Sequence, residues 1–495
     1  MCGIAALWGA TDRHLVDGML EIQAHRGPDG HGLAETGQGS GILGHCRLSI
    51  IDPAGGAQPL RTAGGEWSLV ANGMIYNDRE IRARLSELPF MTGSDSESIL
   101  CSLAHEGTAA VAGLDGMFAF VMSNGERLIA ARDPIGIKPL YMGRRDGALA
   151  FASEIKALAA WSDSIEEFPA GHVFDSVSGM QCYYTVPPAQ ADKWQLDDAL
   201  TALRATLERA VVKRLRSDVP FGALLSGGLD SSIIAALAAR QVDRLKTFAV
   251  GFDGSPDLLA ARKVAAHIGS DHHELVITPQ EALAELPLIL RHLESFDQDL
   301  VRSAIPCWFV SRLAASKVKV VLTGEGADEL YAGYTYYRDI ANAQALGEEL
   351  RRSITAMHNI NLQRVDRMTM AHGLEARVPF LDREMIDLAM TLPAEWKLAE
   401  AGGRRVEKWL LRKACEDLLP AHIVWRDKLQ FDQGSGVAGF IVDAATRLAH
   451  EQGLEIDGAR SFEEAYYRSL LSEVCETPGP VLDLVGHWDT RLVTQ

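Results

Sequence analysis

Residues 219–232 read Val-Pro-Phe-Gly-Ala-Leu-Leu-Ser-Gly-Gly-Leu-Asp-Ser-Ser, an apolar run that breaks into a loop of glycine and serine. Few folds accept such a segment. Val219–Leu225 is short and apolar, as a buried strand requires. Gly227 and Gly228 let backbone N–H groups approach an anion closely. The helical pattern over Ser231–Arg240 brings a helix N-terminus, with its favourable dipole, to the same point. The alternation continues with an apolar strand at Leu245–Phe252, a helix around Leu258–Ile268 and a strand at Val318–Leu322. Strands alternating with helices predict a parallel α/β sheet. The loop has no Gly-Lys-Ser/Thr, so it is not a Walker A loop. A capped strand–helix turn also fits these residues. Eight residues from Leu225 to Ser232 at the end of an apolar strand are nevertheless a stronger signal than a short Gly-rich turn.

The first 185 residues have a different texture. Short apolar runs at 41–44, 67–71, 117–122 and 127–131 are separated by turn residues, the pattern of buried strands in a layered sheet. Helical periodicity is confined to Arg79–Leu88 and Glu97–His105. Residues 186–191, Val-Pro-Pro-Ala-Gln-Ala, read as a linker. Asp197–Leu215 is helical in pattern, and the last ~150 residues look mostly helical. The expected division is a first domain over 1–185, a linker over 186–196 and a second domain over 197–495. The 495 residues suit two large domains. Net charge is −18, with 66 acidic and 48 basic residues, and such a surface repels nucleic acid. No run of 18 apolar residues offers a membrane span. The N-terminus has no signal-peptide pattern, and the seven scattered cysteines form no CxxC pair. A reduced, cytoplasmic protein is the expectation.

Cys2 follows the initiator Met1 and precedes Gly3. Removal of Met1 would give Cys2 a free α-amine of pKa about 7.7–8.0, able to act as base to its own thiol. An isolated cysteine is more often a packing residue, but its neighbours are informative. The start Met-Cys-Gly-Ile is followed by His25-Arg26-Gly27-Pro28-Asp29, His45-Cys46-Arg47-Leu48-Ser49-Ile50-Ile51-Asp52, Asn72-Gly73-Met74-Ile75-Tyr76-Asn77 and Gly93-Ser94-Asp95-Ser96-Glu97. Together these resemble the class II glutamine amidotransferase domain over about the first 160 residues. The resemblance implies an N-terminal-nucleophile αββα sandwich. It implies that Cys2 attacks the glutamine side-chain amide and that Asn72 and the Gly73 N–H form the oxyanion hole. Arg47 would hold the glutamine α-carboxylate, and Asp95 the α-amino group. The family has Glu where this chain has Met74, and a thioether offers no charge.

The loop Leu225–Ser232 resembles the ATP-pyrophosphatase loop, whose enzymes cleave ATP between the α- and β-phosphates. The implied nucleotide set is Leu225, Ser226, Gly227, Gly228, Asp230, Ser231, Val250 and Gly324. Thr323-Gly324-Glu325-Gly326-Ala327-Asp328-Glu329 is similar to a motif of the glutamine-hydrolysing asparagine synthetase family. Further blocks at 248–252, 372–382 and 425–428 extend that resemblance over nearly the whole chain. It implies Mg2+ on Asp230 and Asp328, with Glu325 as the base that deprotonates ammonia. Lys428 would neutralise phosphate charge. Arg302 would grip a substrate carboxylate beside Asp299, although Asp299-Leu300 replaces two threonines found in some relatives. The resemblance also implies an internal ammonia channel, and a homodimer is common among relatives. A different carboxylate acceptor and a non-catalytic glutamine or nucleotide sensor are the competing readings. With Asp95 acting alone, glutamine binding should be weak, so Met74→Glu should lower the KM for glutamine. An unchanged KM in a glutaminase assay would overturn this.

Overall fold

Side-chain alternation sorts the N-terminal strands into layers. In β1 (Gly3–Trp8), Ile4 and Ala6 join one apolar cluster while Ala5 and Leu7 join another. β1 is central in an antiparallel six-stranded sheet, between Ala148–Ala152 and β2 (Gly41–Arg47). The Ala5 face packs on Val16, Met19 and Leu20 of helix α1 (Arg13–Ile22). The Ile4 face meets a second antiparallel six-stranded sheet, where β3 (Ser68–Ile75) pairs with β4 (Gly116–Ser123). From β4, Ala119 and Val121 point between the sheets, while Phe118, Phe120 and Met122 pack with Ile99, Leu100 and Leu103 of α2 (Ser96–Glu106). Both sheets are covered on both faces, so central strands such as β1 and β4 read as nearly unbroken apolar runs. Helix, sheet, sheet and helix make the αββα sandwich. The computed structural model describes residues 2–37, 39–191 and 193–488.

The second half contains a five-stranded sheet, parallel at every pairing. Its elements in chain order are β5 (Phe221–Leu224), α3 (Leu229–Ala239), β6 (Lys246–Gly251), α4 (Pro256–Ile268), β7 (Asp271–Val276), α5 (Gln298–Ala315), β8 (Val320–Leu322), α6 (Asn361–Met370) and β9 (Glu375–Arg377). The spatial order is β7-β6-β5-β8-β9. The chain runs outward from β5 to one edge and then returns to β8 on its other side. The loops after β5 and β8 therefore flank a topological switch point, the crevice where open α/β sheets bind ligands. Sequence pattern does not reveal β7 or β9. β7 reads Asp-His-His-Glu-Leu-Val on the sheet edge, and β9 buries a charged Glu-Ala-Arg triplet in which Arg377 Nε bonds Glu375 at 2.6 Å. The segment over 186–191 is no free linker: Val186 is buried and its carbonyl accepts from Arg351, while the Gln190 N–H donates to the Met390 carbonyl.

The two halves share a core. Met74, Met117, Ile135 and Ile137 of the sandwich cluster with Leu225 and Val378 of the second half. Buried charges cross the same boundary. Arg367, fully buried on α6, lies 2.7 Å from Glu294 and 3.3 Å from Glu154, and bonds the Ser153 carbonyl at 2.8 Å. Arg26 reaches Glu154 at 3.0 Å and, across the boundary, Asp366 at 2.8 Å. Removing one partner of such a pair strands buried charge. Arg367→Ala should therefore cost about 3–5 kcal/mol in urea unfolding, and a loss below about 1 kcal/mol, as for an ordinary surface change, would overturn this assignment.

Candidate active sites

Cys2 is buried just before β1, against β3. Its N–H donates to Asn72 Oδ1 at 2.9 Å, and its carbonyl accepts from Arg26 Nε at 3.1 Å. Asn72 Nδ2 is buried with no hydrogen-bond partner among the described residues. A buried, unspent donor is costly unless a ligand uses it. Beside a nucleophile it is what an oxyanion hole requires. Burial pushes the Cys2 thiol up, so a nearby base must take its proton. Met1, on whose removal that base depends, lies outside the described residues. Gly73 continues β3 opposite Phe118.

Arg47 ends β2, where three loop carbonyls shape its guanidinium: Asp52 at 2.7 Å, Pro53 at 3.0 Å and Ile51 at 3.4 Å. Carbonyl partners leave its charge uncompensated, which suits a carboxylate ligand. Asp95 is buried and accepts the Ile75 N–H at 2.8 Å. Burial pushes its carboxyl up to about 6, against the pull of that hydrogen bond. Met74 faces the apolar boundary between the halves rather than a charged group.

The second site is a cavity of about 380 Å³ at the switch point, of a size that suits a nucleotide. Leu225, Ser226, Gly228, Asp230, Ser231, Val250 and Gly324 line it. Gly227 supports the loop from behind. Its φ is +73°, and a Cβ there would sit 2.4 Å from the Ala261 N of α4, so only glycine allows this approach. The Ser226 and Ser231 hydroxyls lie 3.1 Å apart, above the N-terminus of α3.

Two lysines bind the acidic pair. Lys408 Nζ lies 2.6 Å from Asp230 Oδ2 and 2.5 Å from Asp328 Oδ1, and Lys428 Nζ lies 2.8 Å from Asp328 Oδ2. Burial alone would raise the Asp328 carboxyl, but Lys408 and Lys428 hold it well below the usual carboxylate range. Burial likewise opposes the Lys428 charge, and Asp328 and Asp230 hold its pKa above the ordinary lysine value. Asp230 Oδ1 remains buried without a hydrogen-bond partner among the described residues. A carboxylate pair with an unspent oxygen, beside a phosphate-type loop, fits a hard divalent cation.

Arg302, expected to grip a substrate carboxylate, does not line this cavity. Its guanidinium is captured by Glu463, with Nε to Oε1 at 2.8 Å and a second bond from Nη2, and by Asp299 at 3.2 Å. The cavity receives Arg364 of α6 instead, which bonds Glu325 Oε1 at 2.6 Å and Ser303 Oγ at 2.9 Å. Asp299 does line the cavity, with Arg302 and Arg460 near its carboxylate at 3.2 and 3.6 Å. Glu329 is bonded by Tyr334 at 2.6 Å and Asn361 at 2.9 Å; burial, then the Asp328 charge, pushes it up to about 7. Lys408 and Arg364 have no sequence motif of their own. Arg364 stands in Gln363-Arg364-Val365-Asp366-Arg367, a charged run on a buried helix, and that mismatch was the available clue.

A thiol-nucleophile sandwich joined through a shared core to a nucleotide-type α/β domain defines a two-site amidotransferase architecture. Comparison with known proteins gives the family. The glutamine amidotransferase domain matches residues 1–183, and the asparagine synthase model matches 202–347 and 339–480. Asparagine synthetase [glutamine-hydrolyzing] 2 of Arabidopsis thaliana is 39% identical over 96% of this chain and 87% of its own length. Asparagine synthetase [glutamine-hydrolyzing] 3 of the same plant is 41% identical over the same shares. The Sandersonia aurantiaca enzyme of that name is 38% identical over 96% of both chains. The chain belongs to the asparagine synthase family, with an N-terminal glutamine amidotransferase domain. Among the described residues no helix is long and apolar enough to cross a membrane.

A carboxyl must be ionised to hold an ammonium, the role the resemblance implies for Asp95, and burial keeps the Asp95 carboxyl neutral below about pH 6. The kcat/KM for glutamine hydrolysis should therefore rise with pH through about 6, and Asp95→Asn should be low with that step absent. A flat wild-type profile between about pH 5 and about pH 7 would sink this role.

Proposed function

We propose that the protein is a glutamine-dependent asparagine synthetase: aspartate, ATP and glutamine give asparagine, AMP, pyrophosphate and glutamate. The observation that carries this is the pairing of a buried Cys2 and unspent Asn72 amide in one half with the Asp230/Asp328/Lys408/Lys428 cluster in the other. Working as divided near 185–197, the first half releases ammonia. Cys2 forms a thioester with the glutamine side-chain carbonyl, the Asn72 amide and Gly73 N–H stabilise the oxyanion, and water frees glutamate. Ammonia crosses the boundary, where Met74, Met117, Ile135 and Ile137 share an apolar cluster with Leu225 and Val378.

In the second half, the loop Ser226–Ser231 and the N-terminus of α3 hold the ATP phosphates, and the wall at Val250 receives the base. Asp230 and Asp328 would hold Mg2+, which neutralises phosphate charge when bound. An aspartate side-chain oxygen attacks the α-phosphorus, pyrophosphate leaves, and a β-aspartyl adenylate remains. Lys408 and Lys428 neutralise charge on the departing group. Glu325 takes a proton from ammonia as it attacks the acyl carbon and AMP leaves. Arg364 is the better carboxylate anchor than Arg302, because it faces the cavity. A substrate carboxylate that takes over the Arg364 fork frees Glu325 to act as base. Asp299 still favours the alternative of another carboxylate acceptor: Arg302 and Arg460 lie near it, but Glu463, Asp297 and Glu464 already hold them. The free cysteines suit a reducing cytoplasm.

The test is pyrophosphate release with ATP, Mg2+, ammonium and aspartate, which bypasses Cys2. Asparagine and AMP should appear, and Cys2→Ala should abolish glutamine-dependent turnover while leaving ammonium-dependent turnover within about twofold. A folded, ATP-binding enzyme that ignores aspartate would move the acceptor to another carboxylate.

A further inference from the structure

The match to the asparagine synthase model ends at residue 480, yet the described chain runs on to residue 488 and returns to the active site. Leu484–Trp488 follows the short helix Pro478–Asp483, and Trp488 lines the cavity. Its indole lies 5.5 Å, centroid to centroid, from the Tyr334 ring, and the Arg352 guanidinium sits 5.5 Å from the Trp488 ring on its way to Glu349. These contacts place Trp488 beside Tyr334 in the cavity wall. Tyr334 bonds Glu329 and Asn361, and Arg364, the partner of Glu325, lines the same cavity. The nucleotide loop, Val250 and Lys428 line the same cavity.

Three features set the path of the tail. His487 Nδ1 is 3.0 Å from Asp297 Oδ2 and 3.8 Å from Glu464 Oε1, and its ring meets the edge of Phe296 at 5.5 Å. Arg460 Nη2 lies between the same carboxylates, 2.6 Å from Asp297 and 2.7 Å from Glu464. The cluster is thus an ion-pair knot in which a guanidinium occupies the gap a metal would need. Asp297 also caps α5, accepting from the Asp299 and Leu300 N–H groups at 3.1 and 2.9 Å. The tail is therefore fastened to the first turn of the helix that carries Asp299 and Ser303 into the cavity. Gly486 passes so close to Asn359 that a Cβ would sit 2.6 Å from its carbonyl oxygen.

We propose that Trp488 is a specificity-determining wall of the acceptor end of the cavity, held there by the docking of His487 on Asp297 and of Gly486 on Asn359. This deepens the proposed synthetase reaction and rests on that reading. A rigid aromatic face in the cavity that also holds Arg364 limits the length of carboxylate that fits between it and the adenylate. It also shields the acyl carbon from water, which competes with ammonia.

The experiment is ammonium-dependent pyrophosphate release at varied acceptor, with ATP saturating, on the full chain. Trp488→Ala should raise the acceptor KM about tenfold, and Trp488→Phe should stay within about threefold of wild type. Gly486→Ala, which lies outside the catalytic groups, should reproduce the Trp488→Ala effect. The KM for ATP and the rate of glutamine hydrolysis at Cys2 should stay within about twofold in all three variants. An acceptor KM unchanged in both Trp488→Ala and Gly486→Ala overturns the assignment, as does an equal rise in the KM for ATP, which a general loosening of the fold would produce. Wild-type enzyme inert with aspartate overturns the proposed acceptor instead. The same variants are then measured with whichever carboxylate supports turnover, and the same criterion applies.

Discussion

Parallel, in-register pairing of β5 with β8 is the constraint on which the second half depends. Ala223 lies opposite Leu322, so the chains leaving the two strands start side by side. One leads to Asp230 and the other to Asp328. Two partly buried carboxylates brought together in this way repel and lose hydration. The fold answers with Lys408, whose ammonium touches both, and with Lys428 on Asp328. The arrangement is charge-balanced before any nucleotide arrives. A phosphate chain can then enter by exchanging ion pairs, without first exposing bare charge in a low-dielectric site.

A second constraint sits at the boundary between the halves. Helix α6 serves both sites. Arg364 reaches Glu325 in the nucleotide half, and three residues on, about 4.5 Å along the axis, Arg367 enters the charge network around Glu154. Asp366 holds Arg26, which in turn bonds the Cys2 carbonyl. Arg26, Glu154, Asp366 and Arg367 are fully buried, which fixes the geometry but leaves little freedom to alter one partner alone.

What the sequence made legible, and what it hid, follows from chain separation. The Leu225–Ser232 loop stands out as a pattern of adjacent residues, and the Asn72-Gly73 pair is picked out by its resemblance to a family motif. Lys408 meets Asp230 across 178 positions and Arg364 meets Glu325 across 39, and no local pattern announces either. Arg302 shows the opposite error. Its neighbours resemble an acceptor site, but Glu463, 161 positions away, takes its guanidinium. Strands β7 and β9 escaped because hydrophobic periodicity detects burial of apolar groups. One lies on a sheet edge, and the other buries paired charges.

The shared network around Arg367 bears on modularity. Each half has its own sheets and reads as a separable unit, as though glutaminase and nucleotide domains could be exchanged among relatives. Yet Glu154 and Ser153 from one half, and Glu294 and Arg367 from the other, complete each other's valences in the interior. A chimera that joined halves from different lineages would have to transplant this whole set together. The seam between the domains, more than either fold, sets the smallest heritable unit of the enzyme.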